Sequence, residues 1–126
     1  MSEGLSEKGL QLRRQMFGDA FVDKRSAEAT DFFRPFLEMV NNFAFADVWN
    51  RPVLDHKTRS MLTLAMLIAN GRTHEMGLHT RGAVNNGVTK DEIREILLHA
   101  VVYCGFPAVL ESYAAVTATL KDLGLE

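Results

Sequence analysis

An all-α protein is predicted by three features of the sequence. Apolar residues recur at three- and four-residue spacing along most of the chain. Four glycines, Gly18, Gly71, Gly87 and Gly105, close successive stretches of this kind, and no stretch alternates apolar with polar residues as a half-buried strand does. With 126 residues and 14.1 kDa, the chain has the length of a single domain covering residues 1–126. Its 47% hydrophobic content is enough for a core without metal or disulfide staples.

The elements follow in order. Leu10, Leu12, Met16 and Phe17 give the first segment an apolar side, closed by Gly18. A second segment is predicted to start near Thr30 or Asp31, because Pro35 is tolerated only in a first turn, where its missing N–H is not needed. Phe36, Leu37, Val40 and Phe43 then recur at helical spacing. Asp47 to Asp55, DVWNRPVLD, reads as a connector, with Asp55 as the next N-cap and Leu54 as its hydrophobic staple. The following helix runs to Asn70. Its middle, MLTLAMLIA, is apolar on every side, the pattern of a helix covered all round, which subunit contacts would help to achieve in so short a chain.

Thr73 is the predicted cap of the next helix, which runs to Asn86. Thr89 and Glu92 have capping-box spacing, and behind them Ile93, Ile96, Leu97, Ala100, Val101 and Cys104 form an inward stripe. Gly105 ends that helix, and Pro107 opens the last one, through about Leu123. The loops are short, as between neighbouring helices.

Several functions are disfavoured by composition. The net charge is −2, and the 14 basic residues are spread along the chain, so nucleic-acid binding has little electrostatic support. The single cysteine, Cys104, rules out an intramolecular disulfide and any Cys-x-x-Cys module; among Val101, Val102, Tyr103 and Phe106 it reads as a small buried hydrophobe. The amino end, MSEGLSEKGL, lacks the apolar core of a signal peptide, and the longest apolar run, Met61 to Ala69, is too short to span a membrane. The cytoplasm is therefore the default location.

Chemistry is concentrated in GRTHEMGLHT, residues 71–80. A zinc-protease helix needs two histidines four apart with a glutamate between them. Here His74 and His79 are five apart and diverge by roughly 140° around a helix, so no metal site is predicted. Glu75 and His79, however, are four apart and share a face, and Arg72 lies seven before His79. A carboxylate beside an imidazole raises its pKa and orients it, which suits a general acid or base. The structural alternative is an exposed ion-pair network, the commoner fate of such triplets. His99, four after Glu95 and four before Tyr103, is either a polar pocket wall or a satisfied interhelical histidine, and spacing does not separate the two. Trp49, Arg51, Asp55, Lys57 and Arg59 surround a helix start and fit either anion binding or capping and surface charge.

The blocks TRSMLTLA, GRTHEMGLH, GAVNNGVT and YCGFPA, in this order, make the sequence resemble the carboxymuconolactone decarboxylase family, and LRRQMFGDAFVDK extends the likeness over nearly the whole chain. Alkylhydroperoxidase-like members of that wider group carry two cysteines at the positions of Arg72 and Glu75, and a redox glutamate near Ser60. None of these is present, so dithiol peroxide reduction is chemically unavailable. Two departures stand in the connector: FAFADVW replaces a common Ala-Trp-Gly run, and Val53 replaces a frequent glycine.

The resemblance implies an alkylhydroperoxidase-like helical fold and a homo-oligomer, hexameric or trimeric. It implies cofactor-free decarboxylation of 4-carboxymuconolactone, a small lactone dicarboxylate, to 3-oxoadipate enol-lactone in protocatechuate breakdown. His79, Glu75 and Arg72 are then the catalytic set, with Arg51, Arg59, Arg81 and His99 as candidates for substrate binding. A paralogue acting on another lactone or unsaturated acid, and a non-catalytic oligomeric binding protein, are the competing readings.

Overall fold

Helix accounts for almost all of the regular structure in the computed structural model, which describes residues 4–126, and no strand occurs among the described residues. The chain divides into two compact units, Met1–His56 and Lys57–Glu126.

The first unit contains α1 (Glu7–Phe17), α2 (Asp19–Glu28), α3 (Arg34–Glu38) and a π-helical segment (Met39–Val48). Gly18 ends α1 at φ +93, donating its N–H to the Arg14 carbonyl, and is also the residue from which α2 starts. No apolar stripe announces α2, because only Val22 of this helix is buried. The Arg14 guanidinium instead ties the turn to it, reaching Asp19 at 3.2 Å and Asp23 at 2.8 Å.

The third helix starts at Arg34, later than Thr30 or Asp31, with Pro35 in its first turn as expected. Beyond Met39 the chain winds more widely, and the Trp49 N–H reaches back five residues to the Ala44 carbonyl. A face counted at 3.6 residues per turn therefore does not carry through. Of Phe36, Leu37, Val40 and Phe43 only Leu37 is buried, while Phe36 and Phe43 are exposed, and the inward positions are Asn41, Phe45 and Ala46.

Asn41 is completely buried and fully occupied. Its Oδ1 accepts from Arg13 Nη1 at 3.1 Å, and its Nδ2 donates to the Ser6 carbonyl at 3.0 Å and to Asn42 Oδ1 at 2.9 Å. Buried polar groups are tolerated when satisfied in this way. The π-helical segment approaches α1 so closely that a Cβ on Gly9 would lie 2.2 Å from the Asn41 carbonyl oxygen.

The connector before α4 (His56–Ala69) contains the one non-glycine residue with positive φ among the described residues, Val53 at φ +89. A left-handed conformation costs an ordinary residue roughly 1–2 kcal/mol, and β-branching makes it rarer still.

In the second unit, α4, α5 (Thr73–Asn85), α6 (Lys90–Cys104) and α7 (Phe106–Asp122) enclose one core. Leu64 and Ile68 enter it from α4, Met76 and Ala83 from α5, Ile93, Leu97 and Ala100 from α6, and Val109, Val116 and Leu120 from α7. The α6 stripe is as the sequence predicts, and both arms of the capping box form: Glu92 N donates to Thr89 Oγ1 at 3.1 Å and Thr89 N to Glu92 Oε1 at 2.9 Å. Cys104 differs from its expected burial and is only half-buried at the core margin. Leu62 and Met66 of α4 are exposed, so this helix is not covered all round by the chain itself. Gly105, at φ +87, both ends α6 and starts α7. No helix of the described residues is long and apolar enough to cross a membrane.

The Gly9 contact yields a stability prediction. Gly9→Ala forces the π-helical segment away from α1 and lowers unfolding free energy by roughly 3 kcal/mol, the upper part of the overpacking range, as measured by urea denaturation.

Candidate active site

The orientation of α5 is fixed by the residues it buries. Met76, Thr80 and Ala83 face inward, and the Thr80 hydroxyl is satisfied within the helix by donating to the Met76 carbonyl at 2.7 Å. Facing it, the Thr119 hydroxyl of α7 donates to the Gly77 carbonyl at 3.3 Å, a close approach permitted by the glycine. Glu75 and His79 each precede a buried residue, so both come to rest half-buried, one turn apart on the same face.

Burial pushes the His79 imidazole below its usual pKa of 6.5, and the Glu75 carboxylate opposes that shift. The sequence-based expectation of a raised value is thus corrected. The carboxylate acts in the expected direction, but loss of hydration outweighs it.

Arg72 departs from the expected geometry. It, rather than Thr73, occupies the N-cap position, with φ −93 and ψ 65, and its side chain makes no cap hydrogen bond. Because Arg72 lies outside helical dihedrals, counting seven residues to His79 does not place the two on one face. The side chain is exposed. His74 is exposed as well, and no group of three or more His, Cys, Asp or Glu side chains among the described residues is arranged to hold a metal ion.

The remaining candidates are spread over three other places. Arg81 is half-buried on α5, two residues beyond His79 and roughly 160° around the helix from it. Arg59 is half-buried in the first turns of α4. Arg51 is exposed in the connector, where residues 50–56 line a cavity of about 370 Å³.

His99 lines a second cavity, of about 860 Å³, between α4 and α6, together with Met61, Ala65, Ile96, Tyr103 and Cys104. The His99 and Tyr103 rings are 5.3 Å apart. Sequence reasoning offered a pocket wall as one of two readings of His99, but did not name the α4 residues that face it. The signal was the four-residue step from His99 to Tyr103, combined with small Ala65 and Ala69 on α4. Arg72, Glu75 and His79 do not line this cavity, and Asp91, Glu92 and Glu95 make its rim acidic. Lys57 partly offsets that charge through a 3.0 Å ion pair with Glu92. The Thr89 backbone N–H, then Lys57, hold the Glu92 carboxyl below the usual range.

A helical protein with a desolvated imidazole–carboxylate pair and no thiol pair on the same helix matches one family along most of its length. Residues 34–118 match the Carboxymuconolactone decarboxylase family, and the chain belongs to it. Two curated relatives make the likeness specific. The nitrosuccinic acid decarboxylase of Metarhizium robertsii is 44% identical over 119 residues, covering 94% of this chain and 83% of its own. The 4-carboxymuconolactone decarboxylase of Acinetobacter baylyi is 39% identical over 119 residues, covering 94% of this chain and 89% of its own.

The His79 environment sets a pH dependence of stability. Above pH 6.5 the imidazole is neutral in both folded and unfolded chains. As pH falls through 6.5 the unfolded chain binds its proton first, so stability declines until the lower folded pKa is passed. Between pH 7.5 and 5.5 the urea midpoint should fall further for the native chain than for His79→Gln, which has no proton to take up there.

Proposed function

We propose that this chain is a carbon–carbon lyase that removes CO2, without a cofactor, from a small dicarboxylate whose scissile carboxylate adjoins an electron sink. The observation that carries the reading is the half-buried His79 one turn beyond Glu75, in a chain related along 94% of its length to two decarboxylases. That the family match crosses from residue 34 to residue 118, through the division at His56, supports a single functional domain.

The first candidate substrate is 4-carboxymuconolactone, converted to 3-oxoadipate enol-lactone in the protocatechuate branch of the β-ketoadipate pathway. When the C–CO2 bond breaks, its electron pair flows through the ring double bond into the lactone carbonyl and forms a dienolate. The protein then has three tasks: to orient the dianion, to stabilise the charge and to deliver a proton to carbon. The second candidate is nitrosuccinate, favoured by the 44% relative. Here the same electron pair moves onto the adjacent nitro group as a nitronate, and protonation of carbon gives 3-nitropropanoate.

In both cases His79 is the proton donor and Glu75 orients it. Burial makes the His79 imidazolium a stronger acid but a scarcer one near neutral pH, and Glu75 restores part of its population. A dianionic substrate beside it favours the protonated form further. Arg72 serves best on the carboxylate that is retained, or on the enolate or nitronate oxygen. Gripping the departing carboxylate would oppose the reaction, since that charge leaves with CO2. Arg51, Arg59, Arg81 and His99 are secondary contacts for the second anionic group.

Self-association is part of the proposal, as a trimer or a hexamer. Leu98, Val102 and Tyr103 of α6 and Phe106 and Leu110 of α7 are large apolar side chains that are each exposed, which supports this reading.

Purified protein mixed separately with each substrate, without added metal or cofactor, should release CO2 from at least one; failure with both overturns the reading. His79→Ala should lower kcat by about 10²–10⁴-fold in a folded, assembled protein, and near-native kcat would remove it as proton donor. Arg72→Ala should raise KM if the side chain holds the retained carboxylate, and lower kcat if it holds the enolate or nitronate oxygen. The alkaline decline of kcat/KM should have an apparent pKa below 6.5, and Glu75→Gln should move it further to the acid side. Val102→Glu should reduce the oligomer in sedimentation measurements.

A further inference from the structure

We propose that the trough between α4 and α6 is a two-fold docking face for a second copy of this chain, with the two troughs running in opposite directions across the interface. This rests on the self-association in the proposed function and deepens it. A two-fold contact requires an even number of subunits, so it selects the hexamer over the trimer.

The shape of the trough is set by helical rows. Met61, Ala65 and Ala69 follow one another at four-residue steps along α4 and line the cavity of about 860 Å³, with buried Ala100 facing them from α6. Beside the two alanines stands a ridge, Leu62 and Met66, again four apart and both exposed. Leu98 and Val102 form the corresponding exposed ridge on α6, and Leu98 itself lines the cavity. Ridges at this spacing pack into grooves of the same spacing on a neighbouring helix. The patch carries both halves, groove and ridge, so it complements a copy of itself, as an isologous contact requires. Leu62, Ala65, Met66 and Ala69 are all exposed in the single chain, although the apolar run that contains them has the pattern of a covered helix.

Charge sets the direction. A 3.0 Å ion pair between Lys57 and Glu92 ties the starts of the two helices together. The trough therefore runs from a charged end, at Asp91, Glu92 and Glu95, to an uncharged end at Ala69 and Cys104. Glu92 is paired with Lys57 and Asp91 with Arg94, whereas Glu95 has no ion-pair partner among the described residues. Arg72 stands just past the uncharged end, its backbone N–H donating to the Leu67 carbonyl at 3.0 Å. Its side chain is exposed and also lacks an ion-pair partner among the described residues. Troughs laid in the same direction would bring Glu95 against Glu95, a like-charge contact that an interface avoids. Reversal turns each Glu95 towards the partner's Arg72, so opposite charges meet twice. A guanidinium has five donors, and an ion pair at one edge leaves the other edge for a substrate carboxylate.

The test is the particle mass of the full chain in sedimentation equilibrium. The native protein should contain an even number of subunits. Ala65→Trp fills the groove from an exposed position, and should halve the particle while helicity by circular dichroism stays unchanged. Glu95→Arg should weaken the two-fold association about tenfold, and adding Arg72→Glu should recover most of that loss. If Ala65→Trp loses helicity, the exposed Glu95→Arg pair of variants decides alone. A native monomer or trimer, an undiminished particle for folded Ala65→Trp, unchanged association of Glu95→Arg, or a loss that Arg72→Glu does not recover would each overturn the proposal. CO2 release by native protein is scored separately. Even-numbered particles without turnover remove the decarboxylase reading alone, and turnover by a trimer removes only the two-fold face.

Discussion

The inward stripe of α5 is the constraint on which the candidate chemistry depends. Met76, Thr80 and Ala83 are buried, and Thr119 holds the helix close through the Gly77 carbonyl. With that side committed to the core, the rotation of the helix is no longer free, and the residues one position earlier, Glu75 and His79, are carried to the core margin. There the imidazole loses enough hydration to depress its pKa while remaining next to a carboxylate. Solvent exposure would have left His79 an ordinary surface base, whereas full burial would have closed it to any ligand. The environment of this pair is thus a by-product of a packing register, set by the residues that α5 buries.

Legibility in the sequence followed the source of each element's stability. Helix α6 was readable because its capping box and its stripe are both local features, and each signal agrees with the other. Helix α2 was not, since only Val22 anchors it to a core and its first turn is held by charge pairs from Arg14. The π-helical segment defeated the count at Phe43 because the count assumed an α-helical period. At the candidate site, spacing identified the Glu75–His79 pair correctly as residues on one face. It misjudged the direction of the imidazole shift, because burial is a tertiary quantity. It also carried helical register back to Arg72, one residue beyond where the helix begins. The connector was legible only as a departure, Val53 in place of a frequent glycine, because a positive φ is a backbone property that residue spacing does not carry.

The two curated relatives carry different substrate names, yet the chemistry that this chain would have to supply is similar for both. A lactone carbonyl and a nitro group are each able to take an electron pair when an adjacent carboxylate departs. Such substrates leave the protein to provide charge placement and a proton. The two named substrates differ in shape and in the placement of their second carboxylate, so discrimination between them is a matter of shape rather than of a different reaction.

Gly105 leaves no slack between the last two helices, since one residue closes α6 and opens α7. A residue added or deleted in the first turn of α7 would turn the rest of that helix by about 100° relative to the joint. Val109, Val116 and Leu120 would then swing out of the core together, and polar positions would take their places. Length variation among descendants of this sequence is therefore barred from that joint and diverted to segments with spare chain, such as the stretch between Ala29 and Phe33.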